Sequence, residues 1–246
     1  MAVGFKRPPP QNGPRAAGGT RTLVIQVGLT TVVVVFAVAL VLYIVMSGHK
    51  DQEAGGAAGN QAVRVASAKL ITKPGSSEPK AVLSLYEDFQ CPHCRAFEQT
   101  YGPTITDLIN SGAVAADYYM VAILNSAANQ NYSARAAAVA YCVGQVDTPP
   151  SKQAFQRFRV ALFTGQPAEG APAPDNRELI ETARQAGISS SDFTACVTSN
   201  RYTDMVNGLA AATGVSATPT VRINGQDYTP STPQALTETI RKIVGQ

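Results

Sequence analysis

The sequence predicts an α/β domain carried behind one membrane-spanning helix. Three observations lead there. Residues 22–46 form an apolar run of 25 positions without a charge. Residues 81–86, a short β-favouring run, lead directly into a helix-patterned segment through Cys91-Pro92-His93-Cys94. Beyond it, several helical stripes precede a final strand–turn–strand pattern near residue 225. The 246 residues are 45% hydrophobic, which suits a folded chain rather than a disordered one. Four Cys in this length exclude a disulfide-dense miniature fold, and two His leave little for a large metal site.

The charge is unevenly placed. Residues 1–21 hold Lys6, Arg7, Arg15 and Arg21 and no acid, a net +4, so the remaining chain is net −1. A body so balanced offers no nucleic-acid footprint. The basic segment reads instead as a disordered cytoplasmic tail, because Lys and Arg stay inside when an adjacent helix inserts. As a helix, 22–46 would reach about 37 Å, enough to cross a hydrocarbon core of about 30 Å with some tilt. A cleaved signal peptide is the alternative, with small residues at 54–58 as its cleavage site, but its apolar region is normally about 7–15 residues. The expected topology is therefore a single-pass cell-membrane protein with its catalytic domain outside the cytoplasm. Residues 47–62 read as a flexible linker of about 22 Å root-mean-square reach. Residues 63–246 then form one domain.

The chemistry is expected where the 81–86 strand hands over to a helix. Pro92 suits the first helical turn, where its missing N–H is not needed. Cys91 then stands at the helix N-terminus, whose free N–H groups and dipole favour thiolate over thiol. His93 adds a donor or a positive charge near that sulfur. Cys94, one turn deeper, is expected to be shielded and to act as the resolving thiol, with the Cys91 sulfur exposed. Each unit of thiol pKa depression favours the thiolate by about 1.4 kcal/mol and makes the disulfide about 30 mV more oxidising. The pattern therefore points to a disulfide donor. Covalent haem would need His after the second Cys, and Arg95 stands there. Structural zinc would need a second close pair of ligands, whereas Cys142 and Cys196 are isolated. A Cys pair without a role is the remaining alternative.

These residues resemble the DsbA-like branch of the thioredoxin superfamily. Tyr86 to Cys94 (YEDFQCPHC) match its active-site segment. Gly214 to Gly225 (GVSATPTVRING) are similar to its cis-proline loop and following strand. The helix-patterned stretch at about 125–212 is similar to its helical insertion. The resemblance implies a thioredoxin fold with that insertion and dithiol oxidase activity without metal or cofactor. It gives Cys91 the nucleophile's role, Cys94 the resolving role and His93 the tuning role. It makes Thr218 and Pro219 the substrate-binding cis-proline loop, whose backbone could pair with an extended peptide. An ordinary proline at a strand start is the plainer reading of Pro219. The implied partners are reduced or unfolded exported proteins and a quinone-linked membrane oxidase of the DsbB or vitamin-K-epoxide-reductase type. Where many relatives carry a buried acid six residues before the first Cys, this chain has Leu85. Glu87 and Asp88 lie nearer the motif, with solvent exposure as one reading, and alternation with Leu83 and Leu85 favours Glu87 as the proton acceptor for Cys94.

The later elements follow from periodicity. Val114 to Ala122 reads as a strand. Helices are expected over 131–145, 151–164, from the Asp175/Glu178 capping box, near 190–198 and around Met205 to Leu209. Asn224-Gly225 is a hairpin signal followed by a strand at 226–229. Ser231 and Gln234 are expected to cap a last helix bearing Leu236, Ile240 and Ile243. Cys142 and Cys196 fall on apolar helix faces and are expected to form a structural disulfide in an oxidising compartment, with two buried free thiols as the alternative. Asn131-Tyr132-Ser133 matches a glycosylation sequon, although Asn131 could instead cap the helix after it. The rival functions are a reductase or isomerase on the same fold, and a tethered binding module without catalysis.

Overall fold

The computed structural model describes residues 61–169 and 171–246. The expected tail 1–21, the membrane span 22–46 and the linker up to residue 60 lie outside the described residues. Among the described residues no helix is long and apolar enough to cross a membrane. Gln61, at the expected end of the linker, already belongs to the folded domain: its carbonyl accepts a 2.6 Å hydrogen bond from the Tyr141 hydroxyl.

The apolar run after Pro79 forms β2 (Val82–Glu87), the central strand of a five-stranded sheet ordered β1-β3-β2-β4-β5. β1 (Val63–Val65) pairs antiparallel with β3 (Ala115–Met120), and β3 runs parallel to β2. A parallel pair needs a crossover, here α1 (Pro92–Asn110). α1 passes through Gly102-Pro103 as one helix of 19 residues. β4 (Thr220–Ile223) returns antiparallel on the other side of β2. Asn224 and Gly225 then turn at φ 49° and 81°, the pair of positive φ values a two-residue hairpin demands. β5 is only Gln226–Asp227, shorter than the 226–229 strand expected from the pattern.

Between β3 and β4 lie five helices: α2 (Tyr132–Val146), α3 (Gln153–Thr164), α4 (Asn176–Gln185), α5 (Ser191–Thr198) and α6 (Thr203–Thr213). α2 is buried along most of its length because its small side chains let neighbours approach from several directions. At Gly144 a Cβ would lie 2.6 Å from Val63 Cγ2, so β1 can lie against α2 only through a glycine. Phe155 and Phe158 of α3 and Phe193 of α5 are fully buried and fill the insertion. Asp175 and Glu178 form the reciprocal capping box of α4. Cys142 on α2 and Cys196 on α5 are joined in a disulfide with Cα atoms 5.8 Å apart.

α7 (Pro233–Val244) closes the domain. Its cap is Thr232, which accepts from Ala235 N, and not the expected Ser231. Pro233 takes the first helical position and holds the residue before it extended, which makes that residue the cap. Asn131 does precede α2, but at φ 55° its side chain makes no capping bond.

Candidate active site

The turn between β2 and α1 is held from below by a buried carboxylate. Asp88 Oδ1 accepts from Gln90 N at 2.9 Å and from the Ser133 hydroxyl at 2.7 Å. Its Oδ2 accepts from Leu124 N at 2.8 Å, and its carbonyl accepts from Cys91 N. Burial pushes the Asp88 carboxyl above its ordinary range, and these hydrogen bonds oppose that. Two glutamines then hold the turn from the insertion side. Gln166 Nε2, from the Pro-rich loop after α3, donates to the carbonyls of Phe89 at 3.0 Å and Cys91 at 2.9 Å. Gln90 Nε2 reaches the opposite way to the Ala168 carbonyl at 3.0 Å. The Gln90 amide oxygen accepts from Asn129, itself fully buried.

Cys91 is the N-cap of α1 in an extended conformation, with Pro92 in the first turn. The structure carries Cys91 and Cys94 as the free dithiol. The expected exposed nucleophile is a correction: Cys91 is 5% exposed and Cys94 wholly buried, because Cys91 packs into the hydrophobic core. The Cys91 thiol is nevertheless lowered to about 5. The largest cause is a hydrogen bond from the Cys94 thiol; burial works against it, and the Thr218 side chain and the backbone N–H groups of Cys94 and His93 add to it. Cys94 is pushed far up, first by burial, then by donating to Cys91, then by the charge of Glu87. The pair is thus sharply asymmetric: one sulfur is poised as an anion, the other holds its proton.

Glu87 and Asp88 are likewise corrected: both are buried, at 1% and 0% exposure, because β2 is the middle strand of the sheet. Burial raises Glu87 to about 7; Arg159 opposes this, while the charges of Glu98 and Cys91 add to it. Arg159 Nη1 lies 3.1 Å from Glu87 Oε2, its Nη2 donates to Glu98, and its guanidinium stacks 4.4 Å from the Tyr118 ring centroid. Sequence reasoning missed Arg159, Glu98 and Gln166.

Across from Cys91, the Thr218–Pro219 bond is cis. The Thr218 carbonyl accepts from the Cys91 thiol at 3.3 Å. A groove of about 670 Å³ runs from this loop along α1, lined by His93, Phe97, Tyr101, Pro219, Asp227 and Tyr228 among others. His93 is exposed on the groove wall. Its backbone N–H is one of the groups that lower Cys91. The structure therefore brings Cys91, Cys94, His93, Thr218 and Pro219 together at one end of the sheet and places Cys142 and Cys196 apart in the insertion. Among the described residues no group of three or more His, Cys, Asp or Glu is placed to hold a metal ion.

Comparison with known proteins agrees with this geometry. A thioredoxin family model matches residues 72–242. The reduced crystal structure of DsbA from Mycobacterium tuberculosis is 54% identical, covers 76% of this chain and 93% of its own, and superposes with a TM-score of 0.72. A Mycobacterium tuberculosis structure described as a reduced disulfide bond oxidoreductase, DsbG, is 55% identical, covers 75% of this chain and 88% of its own, with a TM-score of 0.71. Oxidised BdbD from Bacillus subtilis shares the fold at 20% identity, with a TM-score of 0.55 and coverage of 72% and 93%. Among curated proteins, the serine/threonine-protein kinase PknE of Mycobacterium tuberculosis is 28% identical over 148 residues, which are 58% of this chain. The chain spans about a quarter of the length of the curated relatives it matches.

Proposed function

The chain belongs to the DsbA-like oxidoreductases of the thioredoxin superfamily, and on that premise we propose that it is a membrane-anchored oxidase that donates the Cys91–Cys94 disulfide to exported proteins. The observation that carries the reading is the asymmetry of the two thiols, with Cys91 lowered to about 5 and Cys94 held protonated. A substrate thiolate attacks the Cys91 sulfur of the disulfide. The S–S bond breaks, its electron pair leaves on Cys94, and Cys94 takes a proton from Glu87. A second substrate thiolate then attacks the substrate sulfur of the mixed disulfide and expels Cys91 as the stable thiolate. The substrate gains a disulfide, and the enzyme is left as the dithiol. The groove beside Pro219 accepts the substrate as an extended segment against the backbone of Thr218.

A low nucleophile pKa favours donation over reduction. Thioredoxin's nucleophile lies near 7, with a potential of about −270 mV. At about 30 mV per unit, a Cys91 near 5 places this couple about 60 mV higher. Residues 22–46 serve as the anchor, with 1–21 in the cytoplasm and the catalytic domain outside. A quinone-linked oxidase of the DsbB or vitamin-K-epoxide-reductase type re-oxidises the dithiol. Confinement of both proteins to one membrane raises their effective concentration.

The test is oxidative refolding of reduced ribonuclease by the oxidised full chain. Wild type is expected to transfer one disulfide per molecule, and Cys91→Ser none. Undiminished transfer by Cys91→Ser, or a potential at or below that of thioredoxin, overturns the reading.

A further inference from the structure

Behind Cys94 lies more buried charge than a single proton acceptor requires. Arg159 meets Glu87 through Nη1, at 3.1 and 3.3 Å to its two carboxylate oxygens, and Glu98 through Nη2. The side chains of Arg159, Glu87 and Glu98 are 4%, 2% and 13% exposed. One guanidinium cannot neutralise two carboxylates, so the fully ionised cluster carries a net negative charge in a medium that stabilises it poorly. The deeper carboxyl is the one that takes up a proton, and that is Glu87, the one facing the cysteines. Glu98 instead opens on a second groove of about 520 Å³ between α1 and α3, shared with Arg95, Pro103 and Val160. This groove lies on a different face of α1 from the peptide groove.

An independent feature points to the same carboxylate. Gly102 stands one turn after Glu98 inside α1, where glycine costs about 1 kcal/mol relative to alanine. A Cβ there would lie 2.5 Å from Glu98 Oε1 and 2.8 Å from Glu98 Cδ. The three nearest atoms it would meet are all in the Glu98 carboxyl. The glycine leaves the space in which that carboxyl folds back onto Arg159.

We propose that Glu98 is a positioning residue, seated in the space at Gly102, which by sharing Arg159 keeps Glu87 able to hold and release the proton exchanged with Cys94. The proposal rests on the oxidase reading above. In disulfide donation Glu87 gives its proton to the departing Cys94 sulfur and becomes a carboxylate; in re-oxidation the proton returns from Cys94 to Glu87. Donation needs this carboxyl protonated and re-oxidation needs it ionised, so the two directions together need a group that titrates near neutrality. Facing Glu87 are Arg159 from α3, Glu98, Cys91 and Cys94 from α1, and, through Arg159, Tyr118 from β3. Of these, Arg159 pulls its titration down and Glu98 holds it up. Without Glu98, or with its carboxyl moved away, Arg159 serves Glu87 alone.

The experiment uses the full chain in detergent as wild type, Glu98→Gln and Gly102→Ala. The Glu87 carboxyl is titrated by ¹³C NMR in the dithiol form, and the pH profile of disulfide transfer is recorded from the oxidised form. Glu98→Gln is expected to lower the Glu87 midpoint by about one pH unit, a tenfold change in acid constant. The alkaline limb of the transfer profile is expected to move down with it. Gly102→Ala, which keeps both charges and favours the helix, is expected to shift both readouts in the same direction by less. A merely structural role would change melting temperature and leave the midpoint and the limb in place. The proposal is overturned if the Glu87 midpoint stays at its wild-type value in Glu98→Gln, or in Gly102→Ala should the first variant not fold. If wild type transfers no disulfide at any pH, the oxidase reading falls; the Glu87 titration still decides the placement of Glu98.

Discussion

Replacing Cys94 by alanine separates two explanations of why Cys91 is acidic. The helix N-terminus and His93 are the causes visible in the amino-acid order. In the folded protein the leading cause is the Cys94 thiol donating to the Cys91 sulfur. A hydrogen bond to a charged acceptor contributes about 1.5–3 kcal/mol, which at about 1.4 kcal/mol per unit corresponds to roughly one to two pKa units. Cys94→Ala is therefore expected to raise Cys91 from about 5 to roughly 6–7. Cys94→Ser, which keeps a donor of similar reach, is expected to stay much nearer to wild type. Thiolate absorbance or the pH dependence of iodoacetamide alkylation measures each midpoint. A Cys94→Ala midpoint still at the wild-type value refutes the reasoning, since Thr218 and the amides at the helix start would then suffice without the second thiol.

Glu87 gives a pH dependence of stability with a definite sign. Its folded value of about 7 exceeds its ordinary 4.5, so the folded protein binds this proton more tightly; that stability is complete below about pH 4.5 and is lost as the pH rises through about 7. Glu87→Gln is expected to flatten the decline in melting temperature between about pH 5 and 8, and an unchanged slope contradicts the assignment. Replacing both Cys142 and Cys196 by alanine opens a loop spanning 54 residues and is expected to lower unfolding free energy by about 4 kcal/mol at most, read by denaturant titration. The Cys91 thiolate midpoint is expected not to move in that variant, because the disulfide lies in the insertion.

The elements that were legible in the sequence are those specified by neighbours in the chain. The β2–Cys91–α1 junction, the Asn224-Gly225 turn and the Asp175/Glu178 capping box each rest on residues a few positions apart. The cap of α7 is local too, but the Ser231/Gln234 spacing points one residue early, and Pro233 makes Thr232 the cap. Arg159 did leave a local trace: with Phe155, Phe158 and Leu162 it stands at the i+4 position of the apolar stripe, so its charge falls on the buried face and calls for a buried partner. Its buried partner Glu87 is 72 residues away, across the insertion. Gln166 sits in a loop rich in Pro and Ala that reads as surface, yet its amide grips the backbone of the nucleophile. Burial of Glu87 and Cys91 depended on which strand became central and on what the insertion covers, and neither is written in the spacing of the motif.

The two crossed glutamine amides have a mechanical consequence. Gln166 holds the carbonyls of Phe89 and Cys91, the residues on either side of Gln90, and Gln90 holds the loop two residues beyond Gln166. Neither segment can lift without breaking bonds that run in both directions. Any force that peels the insertion's loop outward is thereby delivered to the peptide planes that aim the reactive sulfur. The helical addition is not cargo on a thioredoxin chassis but a brace bolted to its cutting edge.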